Sequence, residues 1–403
     1  MRFWPHWFSA YGCLVNGEVQ RAKDVVADVR SWVLSDAMSA LLALIHEKGQ
    51  QGRSVGGDGA PWLHLNEQLP DWILAKLEDG IDTAAPNAES PLLLLAQLID
   101  LEKQAAEDFN FRGGDGQTYR ERSEAVAADF ATSTRAEVMK LTTRLGLVEP
   151  ASPRYDSYDK TLILGGGFRS PLLRTRYAAY LERQGVDLGE LYFLGSPRFL
   201  ITKEPPEHPV TSVYAPDATD EFGLLLGAAQ TEFGVTSAPV TFLCGCPSAS
   251  ALCPRWRYRR THPQAGEVPP EYTHERFAEL ISSEGHHRGS VISASTSRPP
   301  YRPDTSDTYE LWVRYADPQP GQRILTVTTQ VFVPFQRFDG LRRLYLPRGL
   351  ELDAVGFGAE WGDRPQTAEY LLQETLSAIR SARRLLIDAI EILTAGAPTP
   401  QFP

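Results

Sequence analysis

The sequence predicts an α/β protein in which a parallel sheet, covered by helices on both faces, follows an all-helical N-terminal region. Three observations support this fold class. After Pro150, short apolar segments alternate with amphipathic helical segments, which is typical of parallel sheets covered on both faces. The first short segment, 161–164, runs directly into three glycines, as a strand that ends in a tight turn does. Before Pro150, apolar residues recur at helical spacing without a strong strand pattern.

Residues 1–150 are predicted to form a helical N-terminal domain or cap. Apolar side chains repeat at roughly helical spacing over Val19–Ile45, and a glycine-rich stretch then ends the pattern. Pro91 stands where the first turn of a helix tolerates proline, and Gly146 ends the last helix of this region. The remaining predicted helices are 69–77, 91–108 and 119–145.

Residues 158–395 are predicted to form a Rossmann-like domain, which a Pro/Ser/Asp linker at 149–159 separates from the first. The predicted strands are 161–164, 190–194, 240–244, 290–294, 323–328 and 351–356. The predicted helices are 172–184, 218–233, 271–281, 307–316, 333–346 and 367–393. A polar insertion occupies 247–270, and 396–403 is predicted to be a flexible tail.

The composition limits the function classes. Hydrophobic residues make up 42% and charged residues 23% of the 403 residues, so the chain can bury a core. Forty Lys and Arg against 51 Asp and Glu give a net charge of −11, which disfavours a protein that coats duplex nucleic acid. The longest strongly apolar run, 91–99, is too short to span a membrane. With four cysteines and no secretory signal pattern, the chain is predicted to be cytoplasmic, and its oligomeric state is left open.

Polar residues follow the ends of several predicted strands, where open parallel sheets bind ligands. The turn Gly165-Gly166-Gly167, with Arg169, Arg174 and Arg176 close behind it, can bring backbone N–H groups to an anion or nucleotide. The alternative is a tight turn with solvated arginines. After the next strand come Ser196 and Arg198, a hydroxyl and a cation. Glu221 stands at a helix start, where it either serves the site or caps the helix.

A second polar group lies between residues 297 and 310. Asp304, Asp307 and Glu310 are three residues apart, so on a helix they share one face. Such a face can hold a hard cation or a pair of groups for proton transfer. The alternative is an N-cap with acids that complement the helix dipole.

The cysteines leave a metal site open. Cys244, Cys246 and Cys253 are followed by several histidines, and thiolates and imidazoles are zinc ligands. Their spacing matches no standard zinc motif, and the alternative is a loop of reduced cysteines. Within the insertion, 255–260 mixes arginines with aromatics, which fits either a surface that binds single strands or phosphates, or a solvated or lid-like surface. No sharply specific catalytic motif occurs in the sequence.

In their order along the chain, these segments resemble the YdcF/SanA/ElyC-like family of Rossmann-like proteins. The resemblance covers about residues 158–360 and is carried by LILGGG, YFLGSPR, DEFGLLL, STSR, DTYELW and LTVTTQVFVPFQR. The family has a Gly-rich turn after the first strand, a serine after the second and an acid at the next helix start. Ser-x-x-Thr-x-Glu-Asn and Val-Thr-Ser segments follow. The matching positions here are Gly165, Gly166, Ser196, Glu221, Ser297, Thr308, Glu310, Thr328 and Thr329.

The sequence departs from the family at three positions. Leu311 stands where the family has Asn, and Phe332 stands where it has His. Phe335 occupies the place of the family's Arg, with Arg337 two residues later. Because these positions carry polar groups in the family, the departures indicate altered ligand chemistry.

The resemblance implies a pocket for an anionic adenosyl or nucleotide-type cofactor such as S-adenosylmethionine. The resulting prediction is a small-molecule enzyme that catalyses group transfer, with no duplex nucleic acid and no membrane among its partners. The alternatives are a divalent-metal-dependent hydrolase or phosphoryl-handling enzyme, and a non-catalytic ligand-binding protein. The predicted catalytic residues are Glu221, Glu310 and Arg337. The predicted cofactor-binding residues are Gly165, Gly166, Gly167, Arg169, Ser196, Arg198, Ser297, Thr308, Thr328 and Thr329, and no metal ligand is assigned.

Overall fold

The structure is a computed structural model that describes residues 11–49, 90–111, 127–167, 169–197, 215, 218, 220–243, 275–295, 297, 303–362 and 366–395. Contacts divide the chain into two compact units. The first comprises Met1–Val148, Leu344–Gly349 and Gln366–Pro403, and the second comprises Glu149–Arg343 and Leu350–Pro365. The sequence assigned the last long helix to the second domain, whereas its contacts place it in the first unit.

The elements are numbered here in chain order. The α-helices are α1 (Tyr11–Val33), α2 (Asp36–Gly49), α3 (Pro91–Asp108), α4 (Thr132–Arg144), α5 (Ser170–Arg183), α6 (Glu221–Phe233), α7 (Thr305–Ala316), α8 (Val333–Gly340), α9 (Leu346–Arg348) and α10 (Ala368–Ala395). The strands are β1 (Lys160–Leu164), β2 (Glu190–Gly195), β3 (Thr236–Ser237), β4 (Thr241–Phe242), β5 (Arg276–Ile281), β6 (His287–Ser293), β7 (Arg323–Thr329) and β8 (Glu351–Phe357). Short 3₁₀ turns cover Gln330–Phe332 and Ala359–Trp361, and a π-helical turn covers Leu341–Tyr345.

The described part of the first unit packs around α10, which is buried over most of its length. Two acids fix its neighbours: the buried Glu369 of α10 accepts hydrogen bonds from Arg135 and from the Ala128 N–H, and the half-buried Glu102 of α3 accepts one from Arg383 at 2.6 Å. The predicted helix 119–145 is shorter than expected, since α4 begins only after Ala131, whose backbone is extended. Residues 1–10, 50–89 and 112–126, with the predicted helix 69–77, lie outside the described residues.

The second unit contains an eight-stranded sheet in the order β3-β5-β6-β2-β1-β7-β8, with β4 also paired to β5. Strands β6, β2, β1, β7 and β8 are parallel neighbours. In the centre, Leu162 of β1 lies between Tyr192 of β2 and Thr326 of β7. The prediction of an α/β fold with a mostly parallel sheet is therefore confirmed.

The predicted helix over 271–281 is wrong where the chain is described. Residues Arg276–Ile281 form β5, which pairs antiparallel with β6. Their side chains alternate between buried and half-buried, the period of a strand that lies on a sheet. The sheet is consequently mixed, with an antiparallel margin formed by β3, β4 and β5. Residues 271–274 are not among those described.

Helices cover both faces of the sheet. On one face, Ile163, Phe193 and Val327 pack in a core with residues of α5 and α6. Successive strand residues point to opposite faces, so Tyr192 faces the other way. The centroid of its ring lies 5.8 Å from that of Trp312 of α7. No described helix combines the length and apolar character that a membrane crossing requires.

The strand order creates a switch point between β1 and β7. From β1 the chain proceeds to β2 on one side, and after β6 it crosses to β7 on the other side. The loops that follow β1 and β7 therefore leave the carboxyl edge of the sheet in opposite directions. Open α/β sheets bind ligands in the crevice that such a divergence creates.

Candidate functional site

The glycine turn after β1 is held by Glu221, the first residue of α6. One carboxylate oxygen, Oε1, accepts the N–H groups of Gly166 at 2.5 Å and Gly167 at 3.0 Å. The other, Oε2, accepts the N–H of Ser196 at 2.8 Å and its hydroxyl at 2.7 Å. The carboxylate is only 4% exposed. Glu221 therefore ties the loop after β1 to the loop after β2.

Arg174 of α5 contacts the same turn from its other side. Its Nη1 donates to the carbonyls of Leu164, at 3.0 Å, and of Gly165, and its Nη2 lies 3.4 Å from the hydroxyl of Thr329 on β7. The guanidinium also lies over the ring of Phe332 at 5.5 Å. Arg174 is 2% exposed, so it places a buried positive charge at the ends of β1 and β7, beside the switch point.

The side chains of Glu221 and Arg174 explain why residues 165 and 166 are glycines. A Cβ on Gly165 would lie 2.8 Å from both Glu221 Oε1 and the Leu194 carbonyl oxygen. A Cβ on Gly166 would lie 2.8 Å from Arg174 Nη1, and its φ of +156° lies in the region that favours glycine. The N–H groups of the turn are thus donated to the protein's own carboxylate.

A buried ion pair stands at the antiparallel margin of the same edge. Asp220 caps α6 by accepting the Gly223 N–H at 2.9 Å, and it also accepts a hydrogen bond from Arg276 of β5. Both side chains are at least nine-tenths buried, and the guanidinium lies 4.3 Å from the centroid of the Phe222 ring. Charges this deeply buried are costly unless paired, so the pair fixes the start of α6 against β5.

The acidic residues at the start of α7 form a capping box. Asp304 accepts the N–H groups of Ser306 at 2.8 Å and Asp307 at 3.2 Å. Asp307 returns the contact by accepting the Asp304 N–H at 2.9 Å, and it also accepts the Ser297 N–H at 3.0 Å. Of the two readings that the sequence left open for these acids, the cap is the one that these contacts describe.

The end of β7 presents polar side chains to both faces of the sheet. Thr329 contacts Arg174 on the α5 face, whereas Thr326 and Thr328 point to the opposite face, toward α7 and α8. Burial raises the pKa of Tyr309 on α7, and its neighbours include the Thr326 hydroxyl, Asp339 and Arg174. The positive charge of Arg174 therefore acts on side chains on both faces of the sheet at the end of β7.

The structure brings some of the predicted site residues together and leaves others apart. Gly166, Gly167, Ser196 and Glu221 form one hydrogen-bonded group, and Arg174 joins the carbonyl of Gly165 to Thr329 beside it. Thr328 lies next to Thr329 and is fully buried.

Four predicted residues have other surroundings. Glu310 is 54% exposed and pairs with Arg343, so its carboxylate points away from the buried cluster. Arg169 donates to the Gly362 carbonyl at 3.0 Å. Thr308 is buried and donates to the Thr305 carbonyl at 2.8 Å, and Arg337 is half-buried on α8.

Several predictions fall on residues that the structure does not describe. These are Arg198, the cysteines Cys244, Cys246 and Cys253, the insertion 247–270 and the tail 396–403. Within the described ranges, no group of three or more His, Cys, Asp or Glu residues is arranged to hold a metal ion.

The sequence places Arg174 among the arginines behind the glycine turn but assigns it no role, and it gives Arg276 no place in the site. A signal was available for Arg174, because it follows the apolar pair Leu172-Leu173 on the buried side of its helix. A charged residue on a buried helix face indicates either a core ion pair or a site. Arg276 gave no such signal, because the segment was read as a helix.

Comparisons with known proteins find relatives whose names state no activity. The chain is 31% identical over 263 residues to the uncharacterized protein Rv3785 of Mycobacterium tuberculosis (strain H37Rv), which corresponds to 64% of this chain and 68% of the relative. The uncharacterized protein Mb3814 of Mycobacterium bovis matches with the same values. No protein-family profile and no solved structure matches the chain.

Proposed function

The chain belongs to the family of these uncharacterized mycobacterial proteins, and we propose that it is a cytoplasmic small-molecule enzyme of Rossmann-like, three-layer architecture. In this proposal the enzyme holds an anionic adenosyl or nucleotide-type ligand, of which S-adenosylmethionine is one example, at the carboxyl edge of its sheet. The reaction is group transfer from or to that ligand. The resemblance to the YdcF/SanA/ElyC-like family is part of the same proposal.

One observation carries the proposal: buried polar groups gather where the strand order reverses. Arg174 joins the ends of β1 and β7, which flank the switch point, and Glu221 joins the loop after β1 to the loop after β2. Ordinary strand ends do not require a buried guanidinium and a buried carboxylate, because burial of charge is costly. Their presence at the place where α/β sheets bind ligands supports a ligand site.

The roles of the residues follow from their contacts. Glu221 positions the two loops, and all four of its hydrogen bonds go to neighbouring protein groups. Thr328 and Thr329 supply hydroxyls at the end of β7. A group-transfer reaction suits this set, because the transferred group is activated by its own ligand and the protein mainly orients it.

A non-catalytic binding protein is the second candidate, and one observation favours it. Phe332, at the position of the family's histidine, packs its ring against the guanidinium of Arg174 and cannot act as a general base. A metal-dependent hydrolase has no such support, since Asp304 and Asp307 form the capping box and Glu310 pairs with Arg343.

Thermal unfolding with added ligands tests the proposal. The purified chain is heated with S-adenosylmethionine, AMP, ATP or inorganic phosphate, each in the presence and in the absence of EDTA. We expect an adenosyl ligand to raise Tm whether or not EDTA is present, because a ligand at one hundred times its Kd stabilises the fold by about 2.7 kcal/mol. No shift with any adenosyl ligand up to millimolar concentration would refute it. An enzyme and a binding protein are then separated by the turnover of the stabilising ligand in the presence of candidate acceptors.

A further inference from the structure

We propose that Arg276, on the antiparallel margin of the sheet, is a positioning residue for the ligand site. Arg276 fixes the start of α6 and thereby sets the position of the Glu221 carboxylate, which holds the loops after β1 and β2. The inference rests on the proposed function where it speaks of a ligand site, whereas the contacts that support it all lie within the protein.

Arg276 holds the chain on both sides of Glu221. Its guanidinium donates a hydrogen bond to Asp220, the residue before Glu221, and lies 4.3 Å from the centroid of the ring of Phe222, the residue after it. The side chains of Arg276 and Asp220 are 6% and 3% exposed, so the pair is shielded from water. Because consecutive Cα atoms are about 3.8 Å apart, a shift of Asp220 and Phe222 moves the backbone of Glu221 with them.

The two adjacent carboxylates at the start of α6 bind different parts of the sheet edge. Asp220 accepts from Arg276 on β5, whereas Glu221 accepts from the loops after β1 and β2. Asp220 also accepts the Gly223 N–H at 2.9 Å, which ties the first turn of the helix to the same carboxylate. The start of α6 therefore joins the antiparallel margin to the glycine turn.

Strand register places Arg276 at the level of the site. Arg276 pairs with Ser293 of β6, and Ser293 pairs with Gly195, the last residue of β2. The next residue is Ser196, whose N–H and hydroxyl donate to Glu221. Arg276 therefore stands at the same edge of the sheet as the loop that Glu221 holds, with β6 between them.

Helix capping alone does not account for the arginine. An N-cap needs only an acceptor for the N–H groups of the first turn, and asparagine or serine supplies one without a charge. A buried ion pair is costly to desolvate, and it is weak evidence for stability. What distinguishes this pair is its place beside Glu221, which must reach Gly166 at 2.5 Å and Gly167 at 3.0 Å. Hydrogen bonds of this length weaken when the acceptor moves, so the position of the carboxylate sets the shape of the turn.

Nuclear magnetic resonance tests the link between Arg276 and the turn. When glycine carries ¹³C at its carbonyl and ¹⁵N at its amide, a carbonyl-to-amide correlation detects only glycines that follow another glycine. In this sequence these are Gly57, Gly114, Gly166 and Gly167. The replacements Gly57→Ala and Gly114→Ala identify the first two signals, which leaves the two signals of the turn.

Arg276→Lys is the key variant, because lysine keeps the charge but loses the planar fork that binds a carboxylate and stacks on a ring. We expect both signals of the turn to move upfield by several linewidths, since their amide protons lose short bonds to a charged acceptor. Asp220→Asn keeps an N-cap and removes the charge from the pair, so it should move the same signals and serves as the second variant if Arg276→Lys does not fold.

Arg314→Lys is the matched control. Arg314 of α7 donates to Glu275, the residue before Arg276, so the same substitution there loosens the start of β5 without touching Asp220. The signals of the turn should stay in place. In a Glu221→Gln background, Arg276→Lys should cause no further movement, because the effect passes through the carboxylate.

The ligand site is tested by isothermal titration calorimetry with S-adenosylmethionine and AMP as separate probes. We expect Arg276→Lys to bind the adenosyl probe at least about twofold more weakly, as coupling between residues of one network implies. Unmoved signals in a folded Arg276→Lys or Asp220→Asn, equal movement in Arg314→Lys, or wild-type affinity in Arg276→Lys would overturn the positioning role while the proposed function stands. If the wild-type protein binds neither probe and the signals move as expected, the proposed function fails, and the link between Arg276 and the turn is retained.

Discussion

The replacement Glu221→Gln tests whether one carboxylate joins the two loops of the site. Glutamine has nearly the same shape, but its amide group has one acceptor oxygen and one donor nitrogen. If the amide nitrogen faces the glycine turn it meets two N–H donors, and if it faces Ser196 it meets one N–H donor and a hydroxyl that can rotate to accept from it. One or two of the four hydrogen bonds are then replaced by donor–donor contacts.

The expected cost follows from the burial of those donors. Hydrogen bonds to a charged acceptor contribute about 1.5–3 kcal/mol each, and the two from Ser196 are fully buried, whereas the glycine turn is partly open to solvent. Because the turn can regain water, we expect the free energy of unfolding to fall by about 2–4 kcal/mol.

Urea unfolding, followed by circular dichroism and tryptophan fluorescence, measures this change. Glu284→Gln is the matched control, since Glu284 is 79% exposed and the same substitution there should alter stability by less than about 0.5 kcal/mol. A loss below about 1 kcal/mol in Glu221→Gln, with an unchanged m-value, would refute the assignment of Glu221 as the clamp between the loops.

Three further predictions concern stability. Gly165→Ala should cost about 1–3 kcal/mol in urea unfolding, because the new Cβ meets a carboxylate and a carbonyl at 2.8 Å; wild-type stability would show that the turn has room for it. Arg276→Ala should cost about 3–5 kcal/mol by leaving a buried aspartate unpaired, whereas Arg314→Ala, at a pair whose arginine is 63% exposed, should cost less than about 1 kcal/mol; equal losses would contradict the role of burial. Burial alone would raise the pKa of Glu369, but the hydrogen bonds from Arg135 and from backbone N–H groups, together with the charge of Arg135, outweigh it and hold that pKa below its ordinary value. This contribution to stability is complete above pH 4.5 and is lost as the pH falls through the depressed pKa of the folded state. In Glu369→Gln, the free energy of unfolding should therefore change less with pH in the acid range. A pH dependence equal to that of the wild type would count against the pairing.

The fold class was predictable because its main signals are local. The segment 161–164 is apolar and ends in glycines, and the structure has β1 there, at the centre of the sheet. The helix predicted for 271–281 was wrong because the glutamates and alanine of this segment favour a helix. Its side chains nevertheless alternate between buried and half-buried, as they do in a strand. Pairing with β6 decided the outcome, and such pairing overrides propensity.

The candidate site was less predictable, because its organisation depends on contacts between distant residues. The sequence marked Gly165–Gly167, Ser196 and Glu221 correctly as polar features at strand ends, but it assigned the glycines to a ligand. Only the folded chain shows that Glu221, more than fifty residues later, accepts hydrogen bonds from the N–H groups of the turn. The capping role of Asp304 was readable from sequence, because capping is a local interaction.

The position of β1 has a consequence for synthesis. Lys160 and the residues after it pair on one side with β2, which follows soon, and on the other with β7, which is made far later. A nascent chain therefore holds one flank of its central strand open until Thr329 has left the ribosome, and such an unpaired edge invites association with other chains. Folding of the second unit should be slow for its size, since its innermost pairing is among its most distant in sequence.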